Sequence, residues 1–185
     1  QTYEFWSMVY VDDASDDDSA ETVAECIDEL GLSGRCQLVR KNERRHKARN
    51  VYELLTEHKE PHTVAVMLDA DDCLATTEAL ERLASSYHDG WDVVWSNWVG
   101  SDGSKGSSYY LHPYLPARQQ PWVTSHLFSF RLEQFQAVQP GDLQFPDGTW
   151  VDAACDVALA LPVLESTIRR RFIDEPLCLY NKDNP

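Results

Sequence analysis

Short apolar runs and amphipathic stretches take turns along the chain, and their different periods can be read off directly. Tyr3 to Val11 alternates and is rich in aromatic and β-branched residues, which predicts a strand running into the acidic turn Asp12-Asp13-Ala14-Ser15. Val23, Cys26, Ile27 and Leu30 then recur at helical spacing, with Asp18 or Ser19 as the cap and Gly31 and Gly34 as the stop. Cys36 to Val39 reads as a short strand. Ala48, Val51, Tyr52 and Leu55 make a second amphipathic helix, ended by Pro61. Val64 to Leu68 is wholly apolar, the pattern of a central, buried strand in a parallel sheet, and it runs straight into Asp69-Ala70-Asp71-Asp72. Thr76 or Thr77 caps a third helix through Tyr87, and another strand follows from Trp91 to Trp95.

Beyond that point the periods are less regular. Ser101 to Ser108 is a Gly/Ser turn, and Tyr109 to Pro121 is an aromatic, proline-rich loop of the kind that often covers a site. Ser125 to Gln136 has apolar spacing that fits neither period cleanly. Asp152 to Glu165 predicts a helix interrupted at Pro162, and Phe172 to Tyr180 one or two strands. Strand and helix alternating through the first half imply an α/β fold, with a mostly parallel sheet and helices on both faces.

Composition narrows the class. With 185 residues, 43% of them hydrophobic, the chain can build one domain with a real core. The 31 acidic against 16 basic residues leave a formal charge of −15, which opposes unassisted binding to nucleic acid or anionic lipid. No run of about eighteen apolar residues occurs. Five dispersed cysteines without a CxxC pair suggest neither a disulfide framework nor a zinc knuckle, and fit a reducing cytoplasm.

The candidate chemistry lies where acidic clusters follow strands, because ligands of open α/β sheets bind beyond the carboxyl ends of strands. Asp69, Asp71 and Asp72 are forced together after an apolar run, and like charges so close favour a divalent cation; ligation by oxygen alone suggests Mg²⁺ or Mn²⁺. A solvated acidic turn is the bland alternative. Asp12 and Asp13 can accept hydrogen bonds from a base or ribose, or simply lead into a helix. Arg44, Arg45, His46, Lys47 and Arg49 form a dense basic patch, with Asn42 and Arg45 its preferred ligand-binding members. Arg169, Arg170 and Arg171 fit a solvated turn best, with an anionic lipid or a donor phosphate as the alternatives.

The succession "QTYEFWSMVYVDDASDDDS", "VAVMLDADDCL", "WVTSHLFSF", "CDVALALPVLE" and "FIDEPLCLYNKDNP" resembles family 2 glycosyltransferases of the GT-A fold over nearly the whole chain. The paired signal "VDDAS" then "LDADD" is its most specific part. Members of that family normally begin with a strand and helix ahead of the segment that opens this chain, so the resemblance implies an N-terminally truncated GT-A domain. Its nucleotide-binding part would span about 1–98 and its acceptor side about 99–185. The resemblance further implies metal-dependent, inverting transfer of a sugar from a nucleotide-diphosphate sugar, a UDP-sugar by preference, to a hydroxyl of a glycan, a lipid-linked or a small-molecule acceptor. Asp13 would hydrogen-bond the base, Asn42, Arg45, Asp69 and Asp71 would hold the sugar nucleotide, and Asp71 and Asp72 the Mg²⁺ or Mn²⁺. Asp156 stands where the family has its catalytic base. Trp122, His126 and Asp152 would border the acceptor, although Asp152 is better placed to cap the helix that follows. Lys47 stands where relatives tend to carry glycine.

Two other readings remain open: a GT-A-like nucleotide-binding or scaffold module without turnover, and a receiver-like phosphoacceptor domain. The second would need a Thr/Ser and then a Lys at successive later strand ends, and no lysine occurs between Lys59 and Lys105.

Overall fold

The computed structural model describes residues 1–60 and 62–183. Pro61, expected to stop the second helix, lies outside them, as do Asn184 and Pro185 at the end of the last resembling segment. The strands are β1 Met8–Asp12, β2 Cys36–Arg40, β3 Val64–Met67, β4 Cys73–Leu74, β5 Val93–Gly100, β6 Phe128–Arg131 and β7 Arg170–Tyr180. The α-helices are α1 Ser19–Glu29, α2 His46–Glu57, α3 Ala79–His88 and α4 Cys155–Glu165.

The strands form two sheets. β1 and β2 pair in parallel around α1, which ends before Gly31 in the left-handed conformation (φ 63°) that glycine adopts without steric cost. The other five run in the order β3-β6-β5-β7-β4. Within this sheet β5 and β7 are parallel, whereas the β3/β6, β5/β6 and β4/β7 pairs are antiparallel. The expected α/β architecture with helices on both faces is present, but the pairing is mixed rather than mostly parallel. The cause is β6: Phe128-Ser-Phe-Arg wedges between β3 and β5, running against both. β3 is accordingly an edge strand of this sheet and half-buried along its length, not the central buried strand its apolar run predicts.

Alternation in β5 divides the core. Val93 and Trp95 point to one face, where Phe128, Phe130 and Phe172 meet Leu159, Ala160, Val163 and Leu164 of α4, with α2 packed alongside through Ala48, Val51, Tyr52 and Leu55. Val94 points to the other, against Leu83 and Tyr87 of α3 and Leu177 and Cys178 of β7. Pro162 lies inside α4 without ending it, so the expected interruption is absent. Among the polar groups of this interior, the Tyr87 hydroxyl donates to Ser129 Oγ at 2.7 Å, and Ser129 Oγ donates to the Val94 carbonyl at 2.9 Å. Such chains satisfy hydroxyls that would otherwise be costly to bury. Asp92, 2% exposed, immediately precedes β5 and is held by Arg169 at 2.8 and 2.9 Å and by Thr167 at 2.7 Å. Burial alone would raise its carboxyl; the hydrogen bonds from Arg169 and Thr167, with the charges of Arg169 and Arg131, bring it below the ordinary aspartate value.

Candidate active site

The carboxyl end of β1 is tied to the start of α2 by Asp13. Its Oδ1 accepts from the Arg45 backbone N–H at 2.9 Å and from the Asn50 side-chain amide at 2.7 Å, and its Oδ2 accepts from the His46 N–H at 2.7 Å. The first N–H groups of a helix have no internal partner, so Asp13 caps α2 from a distance in sequence. Desolvation raises its carboxyl, but these three donors outweigh it and hold Asp13 below the ordinary aspartate range. Its neighbour Asp12 is 7% exposed, and Asp12 Oδ1 is buried without a hydrogen-bond partner. Of the two, the free acceptor at this strand end is on Asp12. Asn42 is exposed in the segment before α2, and the Arg45 guanidinium is engaged by Glu53 at 3.1 Å and Glu43 at 3.1 Å.

Asp69 follows β3 with a side chain one-third exposed; Asp71 is exposed. Asp72 turns the other way. Its side chain is fully buried, Oδ1 accepts from the Asn181 N–H at 2.9 Å, and Oδ2 lies 3.8 Å from His126 Nδ1 and 3.9 Å from Cys178 Sγ. Burial raises the Asp72 carboxyl, and burial beside Asp72 pushes the Cys178 thiol up to about 12. The acidic triplet is thus split between a solvent-facing pair, Asp69 and Asp71, and an inward carboxylate. His126 stacks on Tyr180 with ring centroids 5.0 Å apart.

Lys47, in the first turn of α2, joins the two halves of the chain. Its ammonium donates to Asp69 Oδ1 and sits 2.7 Å from Asp156 Oδ1 in the first turn of α4. With Asp156, Lys47 lines a small cavity whose other walls are Ala48, Val51, Met67, Leu143, Cys155 and Leu159. Burial opposes its charge, but hydrogen bonds and attraction from Asp156 and then Asp69 more than compensate and hold the ammonium above the ordinary lysine range. Asp156, half-exposed, therefore shares one cleft with Asp69. Asp152 is exposed and does not cap α4; that position belongs to Ala154, whose φ of 54° is left-handed. Trp122 is 41% exposed on the long loop between β5 and β6.

Spacing along α2 does mark Lys47. Residues 47, 48, 51, 52 and 55 form the inward stripe, and a lysine on such a stripe demands carboxylate partners.

A sequence-family profile described as "Glycosyl transferase family 2" matches residues 1–149. The chain belongs to glycosyltransferase family 2. Similar solved structures include Staphylococcus aureus TarS in a 1–349 form, at 16% identity and a TM-score of 0.68 over 95% of this chain and 51% of that one. S. aureus TarS matches in a second structure at 15% identity and a TM-score of 0.69, over 95% of this chain and 31% of that one. GalNAc-T7 with UDP, GalNAc and Mn²⁺ matches at 15% identity and a TM-score of 0.51, over 97% of this chain and 39% of that one. The family 2 chain therefore spans about half or less of each of these proteins. No curated protein sequence matches it. Membership of this family removes the receiver-like alternative.

The donor set fits the divalent cation implied for such a fold. Asp69 and Asp71 offer oxygen alone from a solvent-facing turn at a strand end, as Mg²⁺ and Mn²⁺ prefer. Asp72, expected to share the metal with Asp71, differs from that pair in having a fully buried side chain that accepts from the Asn181 N–H.

Proposed function

We propose that the chain transfers a sugar from a nucleotide-diphosphate sugar, a UDP-sugar by preference, to an acceptor hydroxyl with inversion. The single observation that supports this most is the Lys47 bridge, because it draws a carboxylate suited to the donor and a carboxylate suited to a base into one cleft. In this reading the base of the nucleotide is met at the end of β1, by Asp13, whose carboxylate is held in place by the start of α2. Asn42 and Arg45 border the diphosphate, and Asp69 and Asp71 hold ribose and metal. Mg²⁺ or Mn²⁺, when bound, neutralises charge that develops on the leaving diphosphate. Asp156 takes the proton of the acceptor hydroxyl as that oxygen attacks the anomeric carbon from the face opposite the leaving group. Its place in the first turn of α4, whose next turns pack into the core, keeps it rigid relative to the cleft.

Residues 1–98 form the donor side and 99–185 the acceptor side, where Trp122, His126 and Asp152 border a glycan, lipid-linked or small-molecule acceptor. The cytoplasm is the proposed compartment, where nucleotide sugars are the donors. Peripheral membrane contact fits a lipid-linked acceptor; among the described residues no helix is long and apolar enough to cross a membrane. The test is UDP release from a panel of UDP-sugars with Mn²⁺, with and without hydroxyl acceptors. Acceptor-dependent release supports the proposal. Mn²⁺-dependent nucleotide binding with no release under any acceptor would favour the scaffold reading instead.

A further inference from the structure

The buried end of the acidic turn, Asp72, meets two further side chains that can ligate a metal. Asp72, His126 and Cys178 come from three distant parts of the chain: the turn after β3, the residue two before β6, and β7. One donor atom from each lies within 4.8 Å of the others, with Asp72 Oδ2 to His126 Nδ1 at 3.8 Å and to Cys178 Sγ at 3.9 Å. We propose that these three side chains form a second metal site, separate from the solvent-facing Asp69/Asp71 pair, that takes Zn²⁺ or a cation of similar softness.

Geometry, donor type and orientation support the assignment. Tetrahedral zinc with bonds of about 2.0 Å to oxygen and nitrogen and about 2.3 Å to sulfur holds such atoms roughly 3.3–3.6 Å apart, so the two spacings from Asp72 Oδ2, 3.8 and 3.9 Å, need to close by a few tenths of an ångström, and all three donors already lie within 4.8 Å of one another. A thiolate, an imidazole and one carboxylate oxygen make a mixed set that favours Zn²⁺ or Co²⁺ and disfavours Mg²⁺, Ca²⁺ and Mn²⁺. The Asn181 N–H occupies Asp72 Oδ1 and so fixes the carboxylate with Oδ2 aimed at the other two ligands, the usual outer support of a metal-binding carboxylate. Cys178 is likewise fixed, being fully buried and paired in register with Leu74 of β4 and Trp98 of β5. His126 is about a quarter exposed, which leaves an entry path and room for water as the fourth ligand.

Electrostatics supply a further reason. A fully buried carboxylate needs a counter-charge, and Asp72 has one backbone N–H on one oxygen and only imidazole and thiol facing the other. A divalent cation would supply that charge, the Cys178 thiol releasing its proton to solvent as it ligates. Protonation of His126 would supply it without any metal, so these are the two outcomes to separate.

The purified chain is stripped with EDTA and dialysed against Zn²⁺ or Co²⁺. One equivalent of Zn²⁺ by elemental analysis is expected, with a near-ultraviolet thiolate-to-Co²⁺ charge-transfer band in the cobalt form. Cys178→Ser removes the band, and His126→Gln, at a partly exposed position that spares folding, weakens retention at least tenfold. Asp71→Asn leaves band and stoichiometry as they were. Substoichiometric metal with no band would overturn the proposal in favour of an Asp72–His126 ion pair. So would a band that survives Cys178→Ser or disappears with Asp71→Asn. None of these results depends on UDP release, so this site and the transferase reading can fail separately.

Discussion

Replacing Lys47 with methionine keeps an unbranched apolar stem in the cavity lined by Ala48, Val51 and Leu159 and removes the ammonium that two carboxylates share. The cost to stability is small, because Asp69 and Asp156 have side chains 33% and 51% exposed and regain water once unpaired; about 1 kcal/mol is expected. The effect on cations is larger. In the native protein any metal at Asp69 competes with the ammonium for the same carboxylate, and two cations on one carboxylate stay within about 4–5 Å. Two unit charges at 4 Å repel by about 1 kcal/mol in water and about 4 kcal/mol at an effective dielectric of 20. Discounting for the exposure of Asp69 places the relief at roughly 1–2 kcal/mol, or about five- to thirtyfold tighter Mn²⁺ binding. Mn²⁺ titration followed by electron paramagnetic resonance, without nucleotide, reads this directly, and Lys47→Arg serves as the charge-retaining control. Circular dichroism guards against misfolding. Unchanged or weaker Mn²⁺ affinity in a folded Lys47→Met protein would refute the view that the ammonium and the metal share Asp69.

Asp156→Asn keeps size and removes basicity, so turnover should drop by roughly two to four orders of magnitude with UDP-sugar affinity little altered, while Asp152→Asn costs far less; near-normal transfer by Asp156→Asn with loss in Asp152→Asn would reverse the assigned roles, and near-normal transfer by both would remove them. Asp13→Ala strips α2 of its remote cap and should destabilise the chain by about 2 kcal/mol in urea unfolding. Because the folded Asp13 value lies below the ordinary 3.8, its contribution is complete above that pH and shrinks as pH falls from there through the depressed value. The gap between native and Asp13→Ala stabilities should therefore narrow on acidification, and a constant gap speaks against the cap. Arg169→Met takes the bidentate partner from buried Asp92, leaving Thr167 and Arg131, and should lower stability by about 1–3 kcal/mol; thermal unfolding indistinguishable from native contradicts the assignment.

The elements of the first half were legible because their periods are clean: α1, α2 and α3 lie on the stripes that Val23, Val51 and Leu83 mark, and the Asp69 turn directly follows its apolar strand. What spacing could not supply is which strand sits beside which. Val64 to Met67 carries the same residues at an antiparallel edge as it would at the centre of a parallel sheet, and β6 hid in a segment where Ser129 and Arg131 break the apolar run. Residue roles blurred for the same reason. Asp12 and Asp13 are adjacent and chemically identical, and only the arrival of α2 decides that one caps a helix while the other keeps an unpartnered oxygen. Asp72 belongs to the acidic turn by sequence and to the sheet interior by contact, because Asn181 reaches it from far along the chain.

The strand order β3-β6-β5-β7-β4 also sets a timetable. On a ribosome β5 is complete long before β7, and the roughly 70 residues from Gly100 to Arg170 take about 4–14 s at 5–20 residues per second. Throughout that interval the inner edge of β5 that will receive β7 stands open, and β4 has nothing to pair with. A nascent chain halted before Arg170 would expose Val94 and Trp95 beside unpaired backbone, the kind of surface that chaperones hold and that neighbouring chains on a polysome can join. Cys178 and Asn181 come after that point, so the acidic turn acquires the Asn181 anchor of Asp72 only when the last strand has been made.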